Sequence, residues 1–158
     1  YDAFGTYGHP DHIQAQRVTN AAFEAAGDPR CFPEVNLEPW QPAKLYYTAT
    51  PRSFMVKMME EAKQAGEAGP WNNPAMNTAI MGTPDEVITT RIDVRNYIEN
   101  KMKAFAAHKT QIEPNSFVFT IPAEMREQVF GYEYFVLARS APANHTGPLE
   151  HDLLEGLS

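Results

Sequence analysis

Residues 6–12 read Thr6-Tyr7-Gly8-His9-Pro10-Asp11-His12, the densest run of chemically competent side chains in the chain. Two imidazoles and a carboxylate fall within four residues, with a phenol just upstream. Imidazole nitrogen and carboxylate oxygen both suit Zn²⁺. His9 and His12 are three apart, so both would face one side only of a helix that began at or before His9. Pro10 favours the first position of a helix instead. The spacing therefore predicts His12 pointing in from the first helical turn and His9 on the preceding loop, near it but separate. One imidazole is then a candidate metal ligand. The other is a candidate acid or base, or an outer partner of the ligand. Asp11 is placed to orient an imidazole through its ring N–H. The competing reading is a polar helix start with no metal. A catalytic zinc needs about three protein ligands and an open position, and this run supplies one or two.

The elements that must hold this loop are legible around it. Residues 11–26 read as a helix, with Ile13, Val18, Ala21, Ala22 and Ala25 roughly along one side and Gly27 as its stop. A Pro-rich, acidic loop follows over 28–42, with Cys31 in it and Pro39-Trp40-Gln41-Pro42 as a rigid turn whose indole is expected in the core, with sugar stacking as the alternative. Residues 44–48 are a strand signal. Pro51 opens a second helix striped by Phe54, Met55, Met58, Met59, Ala62 and Ala65. Residues 66–84 are rich in Gly, Pro and Asn, with Trp71, Met76 and Met81 interleaved, which reads equally as a substrate lid or as a loop packed on the core.

Residues 87–92 read as a strand, and Asp93 as the N-cap of a third helix with Val94, Ile98, Met102 and Phe105 on one face. His108 ends that helix, where a cation is favoured, and His145 and His151 fall in a polar tail over 141–158. A short helix near 122–129 and a strand over 132–138 close the pattern. That strand is apolar on both faces, the mark of a buried, parallel strand. Glu133 within it is a candidate buried carboxylate, and Arg91 is its candidate ion-pair partner or an anion-binding group. The alternation of helix and strand predicts an α/β fold with a mainly parallel sheet.

Composition bounds the function. The chain has 158 residues, one domain's worth. Its 13 basic and 20 acidic residues give a net charge of −7, with no basic cluster, so no nucleic-acid partner is expected. No run of about 18 apolar residues exists, so no membrane span is expected. A single cysteine allows no internal disulfide, which fits a reducing, cytoplasmic setting.

Tyr7-Gly8-His9-Pro10-Asp11-His12-Ile13, Pro39-Trp40-Gln41-Pro42, Lys44-Leu45-Tyr46-Tyr47, Ala107-His108-Lys109-Thr110-Gln111, Tyr132-Glu133-Tyr134-Phe135 and the closing Glu150-His151-Asp152-Leu153-Leu154-Glu155-Gly156-Leu157 occur in that order. Together they resemble the LmbE-like / PIG-L family of zinc-dependent de-N-acetylases, most of all its mycothiol deacetylase and mycothiol S-conjugate amidase branch. The resemblance implies a Rossmann-like three-layer sandwich. It implies one divalent metal, Zn²⁺ or Fe²⁺, and hydrolysis of an N-acyl group on a small amino sugar or glycoside conjugate. By motif match His12 is a metal ligand, Tyr7 helps hold the developing oxyanion, His9 stabilises that oxyanion or serves as acid, and Asp11 orients His9 or His12.

The family's first motif, Ala-His-Pro-Asp-Asp, does not occur in these 158 residues. That motif carries the remaining ligands and the base. The chain therefore reads as the C-terminal portion, residues 1–158, of a single such domain, incomplete at its N-terminal side. The isolated chain is expected to bind metal weakly and to be inactive. A partner chain carrying the N-terminal half would complete the site; a homo-oligomer is the other expected partner. The other reading is a non-catalytic sugar-binding module.

Overall fold

The computed structural model describes residues 1–64, 66, 81–140 and 147–157. A tight turn, α1 (Gly5–Gly8), leads into the longest helix, α2 (Pro10–Ala26). Pro10 fixes a helical φ where its missing N–H costs nothing. Helix α3 is Arg52–Gln64, α4 Ile98–Ala107, α5 Phe117–Thr120 and α6 Ala123–Phe130. The strands are β1 (Lys44–Ala49), β2 (Thr90–Asp93) and β3 (Tyr132–Ser140). The expected helices and strands are present to within a few residues; α5 is additional.

The sheet corrects the expectation of a mainly parallel arrangement. Its order is β1-β3-β2, and β3 runs antiparallel to both neighbours. Strand β3 looked parallel because it lacks apolar–polar alternation. That pattern arises here because β3 is half-buried along nearly its whole length, whichever way a side chain points. An antiparallel strand covered on both sides has no polar face to reveal its direction.

Residues paired across a sheet share a face. Tyr47 pairs with Val136, and its hydroxyl donates to Asn20 Oδ1 at 2.9 Å while accepting from Gln16 Nε2 at 3.1 Å. Helix α2 therefore lies over the face that carries Tyr47, Ala49, Tyr132, Tyr134 and Arg91. Glu133 and Thr90 belong to the opposite face. There Lys101 of α4 meets Glu133 Oε1 at 2.9 Å. A small core of Met102, Ile121 and Phe130 joins α4 and α6, with Phe105 and Phe130 rings 5.8 Å apart. Neither α2 nor α3 buries a residue completely.

The tail was expected to be merely polar. Residues 147–157 instead strap the sheet from its β2 side. Arg91 N–H donates to the Glu150 carbonyl at 2.9 Å, and Glu150 N–H donates to the Thr89 carbonyl at 2.9 Å. The Glu150 side chain, 4% exposed, accepts from Lys44 Nζ at 2.7 Å and from the Tyr46 and Thr90 hydroxyls at 2.8 Å each. Burial alone would push this carboxyl up; the three bonds outweigh it and hold it below the ordinary carboxylate value.

Three further expectations change. Asp93 sits in β2 and does not cap α4 itself: its Oδ1 accepts the backbone N–H of Arg95 at 3.1 Å, at the start of the 3-10 turn before α4, and its carboxylate is forked by Arg95 Nε and Nη2 at 3.0 and 2.6 Å, which together bring its pKa down to about 2. A 3-10 turn over Arg95–Tyr97 starts the helix instead. Arg91 does not pair with Glu133, because adjacent positions of the sheet register send the two to opposite faces. Trp40 is 73% exposed and not in the core. Of the 66–84 segment, Trp71 and Met76 lie outside the described residues, and the Met81 carbonyl accepts from Arg52 Nε at 3.3 Å.

Candidate active site

The loop before α2 is organised by a residue that the sequence reading passed over. Asp2 Oδ1 accepts from the backbone N–H groups of Phe4 and Thr6 at 3.0 and 2.9 Å. This draws the chain into a turn in which Gly5 (φ 68°), Thr6 (φ 68°) and Gly8 (φ 85°) all take left-handed conformations. Gly5 is buried directly on the start of α2. A Cβ there would stand 2.9 Å from both Cγ1 and the backbone nitrogen of Ile13, and 3.0 Å from the His12 Cβ. Only glycine satisfies both the space and the φ. The Asp-to-Gly spacing of an Asx-type turn was the available signal.

The turn closes onto the imidazoles. His9 is extended (φ −68°, ψ 127°) and caps α2, and its Nδ1 accepts from the Asp11 backbone N–H at 3.2 Å. His12 lies in the first turn of α2, half-buried, with Nδ1 3.3 Å from the Gly5 carbonyl. The two ring centroids are 4.8 Å apart. Tyr7 meets both edge-on, 5.9 Å from His9 and 5.2 Å from His12. The Tyr1 ring stacks on His12 at 3.9 Å and 7°. The expected arrangement, His12 inside the first turn with His9 on the loop beside it, is present. Tyr7, His9 and His12 form one cluster.

Asp11 is different. It touches His9 through its backbone N–H, and among the described residues its carboxylate bonds to neither imidazole. The reason is its place directly after Pro10, where the backbone N–H points back at the cap residue.

These contacts fix opposite tautomers. A carbonyl only accepts, so His12 carries its proton on Nδ1 and presents the Nε2 lone pair. His9 accepts at Nδ1, so when neutral it carries its proton on Nε2 and presents a donor. One ring is thereby set up as a ligand, and the other as a hydrogen-bond or proton donor. One imidazole fits one coordination position of a zinc ion. Among the described residues, no group of three or more His, Cys, Asp or Glu side chains is placed to hold a metal. They do not complete a zinc centre.

The remaining histidines stand apart from this cluster. His108 ends α4 and is exposed, His151 is exposed with Nδ1 3.4 Å from the Arg91 carbonyl, and His145 lies outside the described residues. A groove of about 290 Å³ lies between the start of α3 and the α6–β3 corner, lined by Thr48, Phe54, Val129 and Tyr132 among others. None of Tyr7, His9, Asp11 and His12 lines it. No helix among the described residues is long and apolar enough to cross a membrane.

No protein-family model matches the chain. It is similar along nearly its whole length to proteins named 1D-myo-inositol 2-acetamido-2-deoxy-alpha-D-glucopyranoside deacetylase. The Thermobifida fusca protein is 41% identical over 151 residues, 94% of this chain and 50% of the relative. The Catenulispora acidiphila protein is 37% identical over 158 residues, 99% of this chain and 49% of the relative. A Frankia alni protein is 35% identical over 160 residues, 99% of this chain and 55% of the relative. The chain thus spans about half the length of the curated relatives it matches, and what it shares with these deacetylases includes the stretch that brings Tyr7, His9 and His12 together.

Proposed function

We propose that the intact protein hydrolyses the N-acetyl group of a small amino-sugar glycoside, as a metal-dependent amidase of the LmbE-like / PIG-L type. The observation that carries this reading is the pair of imidazoles, 4.8 Å apart at the start of α2, with one phenol edge-on to both. Similarity to deacetylases over nearly the whole chain supports it and points to a 2-acetamido-2-deoxyglucoside of inositol as the substrate class.

Amide hydrolysis needs an activated water and a charge sink for the tetrahedral intermediate. A bound zinc, or Fe²⁺ in its place, supplies the first by lowering the pKa of water to roughly 7 and shares in the second. His12 would hold the ion through Nε2, its ring oriented by the Gly5 carbonyl. His9 turns Nε2–H toward the oxyanion or the leaving nitrogen, held by the Asp11 backbone N–H. The Tyr7 hydroxyl is the second donor. Such donors contribute roughly 3 kcal/mol each to the transition state. Tyr1, stacked on His12, shields one side of the ligand ring from water.

In this reading residues 1–158 are the C-terminal portion of one domain. The other ligands and a carboxylate base come from the rest of that domain, or from a partner subunit. The free edge of β1 takes the parallel strands of a Rossmann-like sheet. An α2–β1 unit of this kind is the second half of a βαβ crossover, and its helix start is where such folds place ligands.

The test is zinc content and deacetylase rate of the intact protein, its His12→Ala variant and the isolated 158-residue chain. The intact wild type should hold one zinc per chain and turn over. His12→Ala should lose more than about 100-fold in turnover, as loss of a metal's direct partner does. The isolated chain should do neither. A His12→Ala protein that keeps stoichiometric zinc and full turnover refutes the assignment.

A further inference from the structure

We propose that Arg91 binds the polyol ring of the substrate, on the α2 side of the sheet that also carries the Tyr7, His9 and His12 cluster. The proposal rests on the deacetylase reading above and extends it to a residue outside the His9–His12 loop.

The sheet register sets where Arg91 points. Arg91 pairs with Tyr134, and Tyr134 with Ala49. Ala49 shares a face with Tyr47, two residues earlier, and Tyr47 is held by α2. Arg91 therefore projects on the α2 side of the sheet. The same contacts set the level. Glu24 meets Arg139, the partner of Leu45, at 3.4 Å, whereas Gln16 and Asn20 meet Tyr47. Helix α2 thus runs antiparallel to β1, and its start lies toward the carboxyl end of β1. One turn back from Gln16 carries His12 about 6 Å in that direction. Two residues on from Tyr47 carry Ala49 about 6.6 Å the same way. His12 consequently stands level with the row Ala49, Tyr134, Arg91. Arg91 lies two strand spacings from Ala49, about 10 Å. A single sugar ring at the histidines leaves that gap unfilled; a second ring joined to it fills it.

Its surroundings make Arg91 a receptor. Two guanidiniums flank the Tyr132 ring, Arg91 at 4.2 Å and Arg95 at 5.4 Å from its centroid. Arg95 spends its N–H groups on Asp93 and on Glu127 at 3.3 Å. Arg91 has the stacking contact and a through-space attraction to Asp93, but among the described residues its guanidinium makes no hydrogen bond or ion pair. It is half-buried, so its orientation is held while its donor edge stays open. Two arginines against Asp93 and Glu127 leave this wall without net charge, which suits neutral oxygens better than an anion. A planar fork of donors matches two neighbouring hydroxyls of a cyclic polyol.

The intact, zinc-supplemented protein tests this with two substrates: N-acetylglucosaminyl inositol, and N-acetylglucosamine without the polyol. The readout is the ratio of kcat/KM between them. Arg91→Ala should lower the preference for the two-ring substrate roughly 10- to 100-fold, the worth of charged hydrogen bonds to hydroxyls. The loss should fall on KM, because it is binding away from the reacting bond. Arg91→Lys should not restore the preference, since an ammonium lacks the fork. An unchanged preference, or an equal loss on both substrates, overturns the proposal. A wild-type protein that turns over neither substrate overturns the deacetylase reading itself, a result distinguishable from the other two.

Discussion

Replacing Glu150 by Ala removes the acceptor at the centre of the tail strap. Its Lys44 partner is 8% exposed and Glu150 itself 4% by side chain, so the ammonium stays out of water. What remains to it is the Glu155 carbonyl at 2.5 Å. The Tyr46 hydroxyl keeps a 3.2 Å bond to the Leu153 carbonyl. The fully buried Thr90 hydroxyl falls back on its 3.2 Å contact with Thr89. Removing one partner of a buried pair costs about 3–5 kcal/mol, much of it the stranded charge. Against a total of about 5–15 kcal/mol this is a large share. In urea, at about 2 kcal/mol per molar, the midpoint should drop by about 1.5–2.5 M. The Lys44→Met, Glu150→Leu double variant should regain most of the loss, since an apolar pair strands no charge. The pH dependence has a defined sign. The folded carboxyl lies below its ordinary 4.5. Its contribution is thus fully present above that value and is lost as the pH falls through the lowered folded value. A single-variant cost below about 1 kcal/mol, or a double variant worse than the single, refutes the account of a charge-locked strap.

Gly5→Ala should destabilise by at least about 1–2 kcal/mol through its left-handed φ alone, and the crowding on Ile13 should shift the His12 ring resonances in NMR spectra; an unmoved His12 signal contradicts the role given to Gly5. Tyr47→Phe deletes one donated and one accepted hydrogen bond to α2, and should cost about 1–2 kcal/mol in thermal unfolding. A cost near zero means that apolar contact, not this hydroxyl, seats the helix.

What the sequence made legible followed from local physics. Pro10 marked the start of α2, Gly27 its end, and the two imidazoles fell where a helix entry places them. The long-range facts were hidden. Nothing in a strand apolar on both sides tells parallel from antiparallel, so β3 misled. Glu133 and Arg91 looked like partners because both are charges in apolar strands; only the register shows that they face apart. Asp93 carried a cap signature, and its carboxylate does accept the Arg95 backbone N–H, but a 3-10 turn separates it from α4 and the Arg95 guanidinium shares the same oxygens. Glu150 sits in a polar stretch, and its burial depends on Lys44, 106 positions away. Asp2 and Gly5 shape the turn that carries Tyr7 and His9 through backbone bonds and a missing Cβ, which motif reading by side-chain chemistry overlooks.

The central position of β3 has a consequence for biosynthesis. Both other strands pair only with β3 in the three-stranded sheet, and Tyr46 must wait for Leu137. During translation, β1 and β2 therefore emerge before the strand that joins them in this sheet, and α2 forms before its platform exists. Such wide sequence separation slows folding. A nascent chain paused short of β3 holds its histidine loop on an unsupported helix and shows bare strand edges to its neighbours. This stretch should lean on chaperones until the ribosome has passed Ser140.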